Sequence, residues 1–81
     1  MRRLEAIRII DELGDSCKFL NPRAIFLEQT ADAGHYEIHV EANVDDDIWE
    51  CLKKIAKEHA LEVKLMDHKL IIYRPLNKKS S

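Results

Sequence analysis

Between His35 and Ala42 the chain reads HYEIHVEA, with polar and apolar residues in unbroken alternation. Side chains of an extended strand point alternately to its two faces, so Tyr36, Ile38, Val40 and Ala42 share one side and His35, Glu37, His39 and Glu41 the other. One face is built for a core. The opposite face carries four groups able to bind a proton, a metal ion or a partner. A strand of this kind belongs in an antiparallel sheet covered on one side and open on the other.

The remaining segments can be fitted around that sheet. Arg2–Leu13 places Leu4, Ala6, Ile7, Ile9, Ile10 and Leu13 in a wide apolar stripe at helical spacing, and Gly14 is a natural helix stop. Asp15–Asn21 reads as a connection, closed by Asn21-Pro22, which blocks helical continuation. Ala24–Thr30 is expected to be a strand, with Phe26 on one face and Ile25 and Leu27 on the other. The turn residues of Ala31–Gly34 join it to His35–Ala42 as a hairpin. Asp47 with Glu50 three residues later predicts a capping box opening a helix over Asp47–His59, with Asp45 and Asp46 favouring its positive end. Ile48, Trp49, Cys51, Leu52, Ile55 and Ala56 would face the core. Leu61–Met66 and Lys69–Arg74, joined by Asp67-His68, form a second hairpin that Pro75 ends.

The order helix-hairpin-helix-hairpin predicts an α+β two-layer sandwich, two helices on a four-stranded antiparallel sheet. If the last strand lies beside the second, the sheet order is third, fourth, second, first, a permuted ferredoxin-like layout. Residues 1–75 form one domain in this reading, and residues 76–81 a loose tail.

Charge and composition restrict the function classes. A net charge of −2 with mixed signs lacks the electropositive footprint of a nucleic-acid binder, and Glu37, Glu41 and Glu62 would repel phosphates. Two cysteines are too few for a disulfide framework, and no signal peptide or membrane span is visible, so a reducing cytoplasm is expected. One Gln and three Asn beside many Lys and Glu resemble the bias of heat-adapted proteins. Cys17 follows a helix C-terminus, where the dipole opposes thiolate formation, and Cys51 reads as a small core residue.

Candidate site residues lie on the open face. His39 could share a metal with Glu37 or Glu41, spaced about 6.5–7 Å along the strand, but zinc needs three or four ligands and a cross-strand donor such as Glu62. A solvated strand face explains the same residues, and helix capping explains Asp45–Asp47. No metal, cofactor or catalytic residue is therefore assigned, and no enzyme activity is expected. The final strand, Leu70-Ile71-Ile72-Tyr73, is apolar on both faces, so either Leu70 and Ile72 or Ile71 and Tyr73 must lie on the open side. Exposed contiguous apolar surface usually has an occupant. The expectation is a non-catalytic interaction or regulatory module, a homodimer through an open face comprising His35, Glu37, His39, Glu41, Ile71 and Tyr73. An additional protein partner is compatible with it.

From Tyr36 to Arg74 the segments IHVEANVDDDIWECLKKIAKEHALEVKL and DHKLIIYR resemble the C-terminal half of small sulfur-carrier domains of the TusA/SirA type. The resemblance implies a related strand–helix–hairpin arrangement and, as an alternative function, thiol or sulfur carriage. Those domains begin their first helix with Cys-Pro-x-Pro, which this chain lacks, and the hairpin at Ala24–Ala42 also departs from them.

Overall fold

The computed structural model describes residues 1–18, 20–30, 34–41 and 45–75. Helix α1 (Arg3–Ser16) is followed by a 3-10 turn (Pro22–Ala24) and strands β1 (Ile25–Gln29) and β2 (Tyr36–Val40). Helix α2 (Asp46–Glu58) and strands β3 (Glu62–Met66) and β4 (Lys69–Tyr73) complete the fold. The strands form one antiparallel sheet in the order β1-β2-β4-β3, so the final strand does lie beside the second. Ile38 pairs with Ile72 and Val40 with Leu70 across the centre, and Val63 pairs with Ile72 on the far side.

Local chemistry accounts for the second hairpin. Asp67 and His68 both adopt positive φ, 50° and 67°. That is the left-handed conformation of a two-residue turn whose twist matches its strands, and Asp tolerates it better than bulkier residues. Gly34, with φ of 80°, supplies the same freedom before β2. Ala31–Ala33, Ala42 and residues 76–81, which hold the expected first turn, the last residue of the expected second strand and the expected tail, lie outside the described residues.

Both helix boundaries differ from expectation for physical reasons. Gly14 does not stop α1, because Leu13 and Cys17 on either side of it are buried and carry the chain through another turn. The N–H of Cys17 donates to the Leu13 carbonyl at 2.8 Å, and a Cβ at Gly14 would touch nothing. At α2 the capping box on Asp47 and Glu50 is not used. Asp45 is the N-cap, its Oδ1 accepting from the Ile48 N–H at 2.9 Å. Asp46 and Asp47 then lie in the first turn, where their charge suits the helix dipole.

The two helices cover one face of the sheet. Ala6, Ile9 and Leu13 of α1 and Leu52, Ile55 and Ala56 of α2 pack with Ile38, Val40, Leu70 and Ile72. Leu4 and Ile7 remain exposed, so the buried stripe of α1 is narrower than its apolar stripe. Trp49 is only partly buried and packs at the margin of the core, not within it. His59 Nε2 and Glu12 Oε1, 2.7 Å apart, tie the end of α2 to α1, and Arg74 donates to Glu5.

The cysteines overturn their expected reading. Cys17 and Cys51 form a disulfide between the end of α1 and the second turn of α2, spanning a sequence separation of 34. Cys17 is neither exposed nor free. A lone pair of cysteines is too sparse a signal to predict a bond. Only the docking of α1 on α2 brings their Cα atoms to 6.0 Å.

Candidate functional site: the open face of the sheet

Alternation along each strand sorts the side chains into covered and open sets. Because Ile38, Val40, Leu70 and Ile72 point at the helices, Glu37, His39, Glu41, Lys69, Ile71 and Tyr73 point away. Register then arranges the open face in three cross-strand rows. The middle row runs Phe26, His39, Ile71, Lys64 from β1 to β3. The row on one side runs Glu28, Glu37, Tyr73, Glu62, and on the other Glu41, Lys69, Met66. Among the described residues no helix lies on this side.

The apolar centre is tightly filled. Ile71 is only 3% exposed although it points away from both helices, whereas Phe26 and Met66 are 41% and 46% exposed. Flanking side chains fold over the sheet to produce this difference. Lys64 Nζ lies 4.8 Å from the centroid of the Tyr73 ring, a cation–π distance. Tyr73 Oη donates to Glu62 Oε1 at 3.0 Å. That hydrogen bond to an anion favours the neutral phenol and raises the Tyr73 pKa above 10.0, with burial and the Glu62 charge acting in the same direction.

Polar pairs border this centre. His39 Nε2 lies 2.9 Å from Glu37 Oε1, both half-buried, and Lys69 Nζ lies 3.9 Å from Glu41 Oε2. The Glu37–His39 pair is the one the metal reading used, yet no cluster of three His, Cys, Asp or Glu able to hold an ion occurs among the described residues. His35 precedes β2 in the same alternation phase as Glu37 and His39 and is exposed, and its carbonyl accepts the Thr30 N–H at 3.0 Å, one step beyond the Gln29–Tyr36 pair.

The structure thus unites Glu37, His39, Glu41, Ile71 and Tyr73 of the expected set. It adds Phe26, Lys64, Met66, Lys69 and Glu62. Their membership was implicit in the alternation of β1, β3 and β4, but required the register to place them opposite particular partners. Among the described residues no helix is long and apolar enough to cross a membrane. No family model matches the chain, and no curated protein or solved structure matches it.

Proposed function

We propose that this chain is a small non-catalytic interaction module that pairs with a second copy of itself through the open face of its sheet. The observation that carries the reading is the middle row, Phe26, His39, Ile71 and Lys64, which crosses a face that no described helix covers. Ile71 provides a closed apolar floor, and Phe26 and Met66 offer surface still to be hidden.

The arrangement is self-complementary. A two-fold axis parallel to the strands and passing between β2 and β4 sets Glu41 against Lys69 of the second copy and Phe26 against Lys64. Both contacts occur twice, as an isologous interface requires. Glu28 and Glu62 would oppose one another at the rim, where water screens them. Four strands of five residues cover about 300 Å², well below the roughly 800 Å² per partner of a stable interface. The pairing is therefore weak, reversible and sensitive to local concentration, as suits a regulatory contact.

A cytoplasmic setting belongs to the same proposal. Disulfides are rare there except in heat-adapted cells, where intracellular proteins are rich in them, and the scarcity of Asn and Gln agrees with that exception. Thiol or sulfur carriage, which needs a free thiolate, gains no support from a Cys17 sulfur bonded to Cys51. Amide chemical shifts followed from about 20 μM to 1 mM, a range chosen for weak association, test the interface. Concentration-dependent movement should centre on Phe26, His39, Lys64 and Ile71. Movement confined to α1, or none, would remove the interface.

A further inference from the structure

The sheet also has an edge whose geometry fits a different occupant. In the order β1-β2-β4-β3, strand β3 has one neighbour. Its hairpin to β4 closes with Met66 opposite Lys69 across a two-residue turn, so those residues exchange the hydrogen bonds nearest the turn. Bonding then alternates, and Lys64 and Glu62 also face β4. The same phase reaches across the sheet to β1, where the Glu41 N–H donates to the Ala24 carbonyl at 2.8 Å. The backbone N–H and C=O groups of Val63 and Leu65 therefore point outward from the edge.

Proteins usually guard such an edge with charged side chains. Here the two charged residues of β3 reach back across β4, Lys64 over the Tyr73 ring and Glu62 onto its hydroxyl, so neither side chain overhangs the free edge. Leu65 is left 60% exposed on this edge strand.

Beside this edge, between β3 and α2, lies an open groove of about 760 Å³. Trp49, Ala56 and Val63 give it apolar walls, and Lys53, Lys54 and Lys57 line it with cations. None of these lysines forms an ion pair among the described residues. Lys53 sits 5.6 Å from the Trp49 ring centroid. Two carboxylates, Glu50 and Glu62, also line it, so the three lysines leave it with a small positive excess. The groove is thus locally cationic on a chain whose net charge is −2.

We propose that β3 and the adjoining groove bind an extended acidic segment of a partner protein, which adds to the sheet as a fifth strand. Its backbone would pair with Val63 and Leu65. Alternate side chains would enter the groove, apolar ones against Trp49 and Val63 and carboxylates against Lys53 and Lys57. This is strand addition, in which main-chain bonds supply affinity and alternate pockets supply specificity. A second copy is a poorer occupant. Two-fold pairing of β3 with β3 would bring the lysines of both α2 helices toward one another. The edge is separate from the open face, so the two proposals stand or fall independently.

The test uses the full chain labelled with nitrogen-15 and two capped seven-residue peptides with threonine at the odd positions and, at the even positions that share one face, glutamate-valine-glutamate in one and lysine-valine-lysine in the other. The acidic peptide should shift amides of β3 and of Lys53–Lys57 saturably, bind at least tenfold more tightly than the basic one, and weaken with salt. The Val63 and Leu65 amides should gain protection from hydrogen exchange, which ionic attraction to the lysines alone would not produce. Lys53→Glu/Lys57→Glu, an exposed pair whose fold is checked by the unchanged shifts of β2 and β4, should reverse the preference. Equal binding of both peptides, shifts without protection of Val63 and Leu65, or protection of these amides that depends on protein concentration in the absence of peptide would each overturn the proposal. The last would assign the edge to a second copy.

Discussion

Breaking the Cys17–Cys51 bond should cost this domain a large part of its stability. The bond closes a loop with a sequence separation of 34. In the chain-entropy relation, removing that constraint frees about 12.6 cal/mol/K in the unfolded chain, about 3.8 kcal/mol at 25 °C. Native domains are stable by only about 5–15 kcal/mol, so this loss is about a quarter to three quarters of the total. At about 4–8 °C per kcal/mol for a domain of this size, the midpoint of thermal unfolding should fall by about 15–30 °C. The perturbation is reduction of the unaltered chain, with Cys17→Ala/Cys51→Ala as a second route and thiol alkylation followed by intact mass to verify each state. Urea unfolding measures the difference. The slope of free energy against urea should also rise on reduction, because an unconstrained chain exposes more surface when unfolded. A loss below about 1 kcal/mol, with the slope unchanged, would refute an argument placed in the unfolded state and mean that packing alone holds α1 against α2.

Asp45→Ala should cost about 0.5–2 kcal/mol through loss of the N-cap, while Asp47→Ala, in the first turn without the capping role, should cost less; equal losses in urea unfolding would restore Asp47 as the cap. Leu52→Ala should cost about 2–5 kcal/mol, and a loss below about 1 kcal/mol would mean that α2 does not dock by this face. Tyr73 should titrate above 10.0 in the folded chain, as measured by carbon-13 tyrosine NMR. Its neutral hydroxyl supplies the bond to Glu62, so this contribution to stability is present below the unfolded value and lost as pH rises through the folded one. Glu62→Gln should lower the Tyr73 midpoint; an unmoved midpoint would disconnect the two residues.

Much of the fold could be read from two periodicities. The alternation of Tyr36–Val40 identified a half-covered strand, and the doubly apolar Leu70–Tyr73 segment identified the strand that belongs at the centre. What escaped the sequence depended on contacts between distant segments or on a choice among equivalent neighbours. Three consecutive aspartates make each a candidate cap, and the helix phase set by Ile48 and Leu52 selects Asp45. Gly14 carries a stop signal that two buried neighbours override. The Cys17–Cys51 bond exists because two helices meet across 34 positions of sequence. On the open face, the β2 and β4 members were legible as residues, but their rows were not. Only register sets His39 beside Ile71 and Phe26, and only a folded-back Lys64 and Glu62 explain why Tyr73 is held where it is.

The claim that the open face pairs with a second copy is tested most directly by sedimentation equilibrium of the untagged chain, from ten to several hundred micromolar, where a contact of this size should populate both states. The account predicts a weight-average mass that climbs from one copy toward two across the series. It also predicts that Phe26→Lys holds the mass at one copy, since that side chain is exposed and its loss leaves the core intact. A single-copy mass at every concentration, or a climbing mass that Phe26→Lys does not change, would contradict it.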